Sequence, residues 1–146
     1  MTFSCLGIFC EDIREEVSGT HTIVGVMPDN INLVAPAGQE GASILFPKMG
    51  IYVRVNLDAP NKPRGPISAR ASIPGAPEIP LGEIGPADID KAFADAREKN
   101  NPLVGIIFKG VASPLTLTTS GVGSVFVTVD GEEHLAAIIN IQIARS

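Results

Sequence analysis

Apolar and polar residues alternate along most of this chain, and this pattern constrains its fold more than any other feature. The clearest stretch is 49–58, where Ile51, Val53 and Val55 fall on one side of a strand and polar residues on the other. β-branched residues supply much of the pattern, with 17 Ile, 12 Val and 7 Thr among 146 residues. Because these side chains favour strands over helices, the sequence predicts a mainly β protein.

Further strands are predicted wherever the alternation returns between turn residues. They are expected at 3–10, with an extension to 17, and at 20–27, 31–34, 67–73, 103–111, 115–119, 122–130 and 133–144, with a loop at 35–42. The last of these strands is predicted to place Leu135, Ala137, Ile139, Ile141 and Ile143 on one face. Seven to nine short strands are typical of an antiparallel β-sandwich, and a closed barrel is the alternative. The length predicts a single domain over residues 1–146.

One helix and one proline-rich connection interrupt the strands. Seven of the 12 prolines lie between residues 60 and 86. Proline has no backbone N–H to give to a sheet, so 74–86 is predicted to be an extended connection or an edge strand. A proline at position 86 and an apolar stripe of Ile89, Phe93 and Ala96 predict a surface helix over 86–99.

Charge and hydropathy exclude several functional classes. The net charge is −5 and the basic residues are scattered, so no nucleic-acid partner is expected, because phosphate binding requires clustered Lys and Arg. No apolar run reaches the ~18 residues that span a bilayer. The apolar N-terminus also lacks the basic region of a secretory signal. We therefore expect no membrane partner and a cytoplasmic location, or a virion location if the protein is phage-encoded.

Cysteine and histidine residues give no sign of catalysis. Cys5 and Cys10 are five residues apart in a predicted strand, too far for a disulfide, so two free thiols in a reducing compartment are expected. No GxGxxG, Walker A, HExxH or GxSxG motif occurs. His21 is most simply a solvent-facing strand residue, with contact to Tyr52 or a carboxylate as the alternative. The sequence thus predicts no catalytic residue, no cofactor and no metal ligand.

The densest group of charged residues lies in the first predicted hairpin. Asp12, Arg14 and Glu16 share one face of a strand, and Glu11 precedes them. A surface ion pair is the simplest interpretation. The alternatives are a structural salt bridge that fixes the end of the hairpin and a contact patch for a partner. We take these four residues as the candidate interaction site.

Three further acidic residues lie at predicted strand ends. Asp29, Asp58 and Asp130 could supply oxygen ligands to a calcium ion if their loops meet, and ordinary turn formation is the alternative. An enzyme, or a sugar- or metal-binding protein, would require Asp12, Asp29 or Asp58 to converge with one of the two histidines.

Part of the first hairpin resembles a known family. The residues concerned are Cys10-Glu11-Asp12-Ile13-Arg14-Glu15-Glu16, Ser18-Gly19-Thr20 and Ile23-Val24-Gly25-Val26. They resemble the opening of a bacterial family of unknown function, whose members begin with a Cys-Asp-Asp-Ile-Arg-like strand, a Gly-Lys turn and an Ile-Gly-Val-Tyr-like strand. Here Thr20-His21 stands where lysine is usual, and Met27 stands where an aromatic residue is usual. The resemblance implies a small β-sandwich and supplies no activity or cofactor.

The function that these features favour is a non-enzymatic module for protein–protein interaction or self-assembly. A partner, or a second copy, could add a strand to an exposed sheet edge. A narrower version, by analogy of fold alone, is a small phage virion accessory or decoration protein. The alternative is the enzyme or the metal- or sugar-binding protein that uses the loop carboxylates.

Overall fold

The computed structural model describes residues 3–35 and 44–145, and within them the chain is mainly β. These described residues form eleven strands in three sheets and one helix, so the mainly β prediction is confirmed, although the strands outnumber the seven to nine predicted. The predicted loop at 35–42 lies, apart from Ala35, outside the described residues. The elements are β1 (Phe3–Glu15), β2 (His21–Val26), β3 (Asn30–Ala35), β4 (Ile44–Phe46), β5 (Met49–Asp58), β6 (Ile67–Ser72), β7 (Ile79–Ile84), α1 (Pro86–Glu98), β8 (Leu103–Ala112), β9 (Leu115–Leu117), β10 (Gly121–Val129) and β11 (Glu132–Arg145).

Two larger sheets and one small sheet contain these strands. The four-stranded sheet has the order β2-β1-β5-β8, the five-stranded sheet has the order β3-β11-β10-β6-β7, and β4 pairs with β9. The expectation of wholly antiparallel pairing is wrong at one place, because β3 runs parallel to β11. No tight turn joins β3 to its neighbour, so the local sequence does not fix its direction. The proline-rich segment forms the edge strand β7, one of its two predicted alternatives.

The inward faces of both larger sheets contribute to one buried cluster. The side chains predicted to be apolar and inward on β5 and β10 are buried, and α1 adds Ile89, Phe93 and Ala96. Each fully buried aliphatic side chain contributes about 1.5–3 kcal/mol, so this cluster is the main source of stability. The prediction for β11 is wrong at Leu135. Ala136 is the extra residue of a bulge, so Leu135 points outward, opposite Phe126, while Ala137 lies opposite Val125.

The helix α1 forms where it was predicted and ends one residue earlier. Asn100, with φ of 56°, adopts the left-handed conformation, and the N–H of Asn101 donates to the carbonyl of Ala96 at 2.8 Å. This is the Schellman arrangement, with asparagine at the position where glycine is usual. Across the described ranges, no helix is both long and apolar enough to cross a membrane.

The hairpin of β1 and β2 folds back over the outer face of the four-stranded sheet. β1 pairs with β5 only as far as Cys10, which lies opposite Gly50. A straight continuation would carry Glu15 about 16 Å beyond that point. Glu15 nevertheless forms an ion pair with Lys109. Lys109 lies opposite Tyr52, two residues past Gly50 in the direction opposite to that continuation. We call residues 11–26 the hairpin arm.

Candidate functional site

The four predicted site residues lie on the hairpin arm but do not form a single cluster. Nη2 of Arg14 lies 3.7 Å from Oε1 of Glu16, and the hydroxyl of Thr22 donates to the same oxygen at 2.8 Å. Asp12 instead pairs with Lys48, with 3.3 Å between Oδ2 and Nζ. Exposed pairs of this kind contribute at most ~1 kcal/mol each. The Asp12 pair joins the arm to the chain just before β5, whereas the Arg14 pair stays within the arm.

Glu11 has a different role, because its side chain lies over Gly25 on the partner strand of the arm. A Cβ atom at Gly25 would lie only 2.6 Å from Cδ of Glu11. Gly25 also has φ of +65°, which side chains rarely adopt. The Glu11 side chain therefore occupies the space that a glycine leaves open. The interaction site predicted at Glu11, Asp12, Arg14 and Glu16 stays a prediction.

A second set of contacts holds the arm against the sheet, and sequence reasoning missed most of it. Lys109, the ion-pair partner of Glu15, also has its Nζ 3.1 Å from Nε2 of His21. The His21 ring packs edge-on against Tyr52 with 5.9 Å between centroids, and its Nε2 lies 3.8 Å from Oε1 of Glu15. The alternative interpretation of His21, contact with Tyr52 or a carboxylate, is therefore the observed one. No local signal connects Glu15 with Lys109, because only the backward fold of the arm brings them together.

The loop acids do not gather around a common point. Oδ1 of Asp130 accepts hydrogen bonds from the backbone N–H groups of Arg64 and Gly65, both at 2.8 Å, so this carboxylate joins the turn between β10 and β11 to a loop that is distant in sequence. The backbone carbonyl of Asp29 accepts from Asn140. In the described part of the chain, no three or more His, Cys, Asp or Glu side chains come close enough to hold a metal ion.

Both cysteines are free and are protected by their surroundings. Cys10 is completely buried and Cys5 is partly buried. Burial raises the pKa of the Cys5 thiol. It also raises the pKa of the Cys10 thiol, although a backbone hydrogen bond at Asp12 acts in the opposite direction. A protonated thiol is a weak nucleophile, so neither side chain is prepared for covalent catalysis.

A cavity of about 690 Å³ lies at the C-terminal end of α1, and we call it the helix-end cavity. Its floor contains the buried side chains of Phe93 and Ala96. Asp58, at the end of β5, lies in its wall, so one of the predicted loop acids does line a cavity. The remaining lining residues are Ala59, Pro60, Lys62, Arg97, Asn100, Asn101 and Pro102.

The outer face of the five-stranded sheet carries an apolar patch, which we define as Val122, Phe126, Leu135 and Ile138. Val122 is 56% exposed, Leu135 55% and Ile138 56%. Leu135 lies opposite Phe126, and Ile138 lies opposite Ser124. Because directly opposed side chains on a sheet are ~5 Å apart and diagonal ones ~7–8 Å apart, these four side chains form a continuous surface.

Comparison with protein-family models finds none that matches this chain. Comparison with curated proteins finds no match either. The resemblance of the hairpin arm to a bacterial family of unknown function thus stays a prediction.

Proposed function

We propose that this chain is a non-enzymatic, cytoplasmic β-sandwich module that assembles with itself through the outer face of its five-stranded sheet. The observation that carries the proposal is the apolar patch, with three large aliphatic side chains more than half exposed. Together they expose on the order of 300 Å², comparable to the largest patch on typical monomers, and such patches often mark binding surfaces.

Close contacts between the two larger sheets support the sandwich. A Cβ atom at Gly7 of β1 would lie 2.9 Å from Cβ of Ala137 on β11. A Cβ atom at Gly82 of β7 would lie 3.1 Å from the Phe108 ring on β8. The sheets therefore approach each other at both sides of the core. In a sandwich, the outer faces normally carry polar side chains, so the apolar patch needs a separate explanation.

The charges around the patch favour a second copy of this chain as the occupant. The centre of the patch carries no ionisable side chain. At its border, the guanidinium of Arg70 stacks 4.6 Å from the Phe126 ring centroid and pairs with Glu78 at 3.0 Å and with Glu133. The chain has a net charge of −5, so most approaches between copies are repulsive. Because this face is nearly neutral, two copies can approach each other through it without that repulsion.

The polar neighbours of the patch are also self-complementary. The Asn140 amide donates to Oδ1 of Asn30 at 3.0 Å, and the Gln142 amide donates to Oδ1 of Asn140 at 3.2 Å. Each amide is both a donor and an acceptor, so a row of amides can bond to the same row in a second copy. A two-fold interface, in which each copy presents the same surface, uses this property.

The test is the oligomeric state in solution, measured by light scattering coupled to size-exclusion chromatography. We expect a dimer for the wild-type chain and a monomer for Ile138→Lys and Leu135→Lys, with unchanged thermal unfolding of the monomeric variants under dilute conditions. Val17→Lys is the matched control, because Val17 is fully exposed on the hairpin arm. A wild-type chain that is monomeric at every accessible concentration contradicts the proposal. Variants of the patch that remain dimeric would place the interface elsewhere.

A further inference from the structure

We propose that the helix-end cavity binds a neutral, hydroxyl-rich small molecule of the mono- or disaccharide class. The cavity shares no residue with the apolar patch, so this site does not depend on self-assembly. Its volume of about 690 Å³ lies within the range of small-molecule sites in proteins.

Backbone hydrogen bonds fix the walls of the cavity. The N–H of Ala59 donates to the carbonyl of Pro102 at 3.0 Å, which ties the end of β5 to the start of β8. The N–H of Asn61 donates to the carbonyl of Asp58 at 2.9 Å. On the other side, the Schellman arrangement described above ends α1. The polar side chains of the rim therefore project from restrained backbone on both walls.

Four polar side chains of the rim have their hydrogen-bonding groups available. Within residues 3–35 and 44–145, Asp58, Arg97, Asn100 and Asn101 make no side-chain hydrogen bond or ion pair. A carboxylate accepts, a guanidinium donates, and an amide does both, which is the combination that recognises hydroxyl groups. The exposed rings of Pro60 and Pro102, which also line the cavity, offer apolar surface to the C–H groups of a sugar ring.

The charges of the cavity disfavour an ionic ligand. Asp58 and Arg97 have opposite charges. Nζ of Lys62 lies 2.5 Å from Oδ1 of Asp90, so this ammonium group is already paired. The lining thus offers no surplus charge of either sign to an anion or a cation, whereas a neutral ligand needs none.

Asn100 provides a variant that separates binding from folding. Its φ of 56° is a conformation in which glycine is free of strain, so Asn100→Gly removes the amide from the rim while the helix end keeps its shape. Asp58→Asn changes the second wall while preserving side-chain volume. Asp88→Asn, in the first turn of the same helix and outside the cavity, is the matched control.

The experiment is a titration of the full, ¹⁵N-labelled chain, followed by amide chemical shifts, with glucose, galactose, N-acetylglucosamine and maltose. We expect saturable shifts confined to residues 58–62 and 93–102 with at least one of these sugars. Asn100→Gly and Asp58→Asn should each weaken that binding by about fivefold, the scale of one lost hydrogen bond, while Asp88→Asn leaves it unchanged.

Three outcomes would overturn the assignment. The first is the absence of any saturable shift with all four sugars. The second is a shift of the same amides with acetate or phosphate but not with the sugars, which would make the cavity an anion site. The third is binding that neither Asn100→Gly nor Asp58→Asn weakens, which would place the sugar outside this cavity.

Discussion

The packing at the base of the hairpin arm can be tested at one contact, between Gly50 and Cys10, the residue that precedes the arm. A Cβ atom at Gly50 would lie 2.8 Å from Sγ of Cys10 and 3.2 Å from Cγ1 of Ile13. Cys10 is completely buried, and a sulfur atom without free space around it cannot move away at low cost. We therefore expect Gly50→Ala to destabilise the protein by about 1–3 kcal/mol, the usual cost of overpacking.

A double-mutant cycle assigns this cost to the contact itself. Cys10→Ala removes the sulfur atom and should alone cost about 1 kcal/mol, as does the loss of one buried methylene group. In the double variant, the methyl group introduced by Gly50→Ala fills the space that the sulfur leaves. We expect the double variant to be more stable than the sum of the two single effects predicts, with a coupling energy of about 1 kcal/mol or more. The contact with Ile13 remains, so the compensation is incomplete.

Urea unfolding at equilibrium measures each corner of this cycle, with unchanged m-values as the sign that only stability has changed. Gly65→Ala is the control. A Cβ atom there meets nothing closer than 3.6 Å, and we expect a change within about 0.5 kcal/mol. Additivity of the two effects within about 0.5 kcal/mol would refute the reasoning, because it would mean that Sγ of Cys10 does not limit the space at Gly50.

Three further predictions concern other parts of the fold. Phe93→Ala should lower the free energy of unfolding by about 3–5 kcal/mol, because this core side chain is 2% exposed; a loss below about 1 kcal/mol in urea unfolding would contradict its role. Asn100→Gly should leave the thermal midpoint unchanged or raised, because it relieves a left-handed residue; a clear decrease would contradict this. Burial raises the pKa of Cys5 and Cys10, so the folded state holds these protons more tightly than the unfolded state. The contribution of these two thiols to the free energy of unfolding should be complete below the ordinary thiol pKa. It should be lost as the pH rises through their raised pKa values in the folded state. Urea midpoints that do not fall as the pH rises above ~9 would contradict this prediction.

Much of the fold was predictable because its signals are local. In β5, strict alternation places Ile51 and Val53 in the core, and α1 begins at Pro86 where the first-turn preference places it. The parallel pairing of β3 was not predictable, because no turn joins it to β11. β4, with three residues, is too short to show a period, whereas β9 lies within the strand predicted at 115–119.

The apolar patch shows how one irregularity changes the surface of a sheet. Strict alternation along β11 predicts that Leu135 faces the core with Ala137. The bulge at Ala136 moves Leu135 to the outer face instead, where it lies opposite Phe126 and next to Ile138. An extra residue in a strand interrupts the hydrogen bonds between the two strands at that point and bends the strand locally. Without it, Leu135 would be buried, and the patch would lose one of its three exposed aliphatic side chains. The candidate interface therefore depends on a feature that hydrophobic periodicity cannot show, because the bulge is a property of pairing with β10.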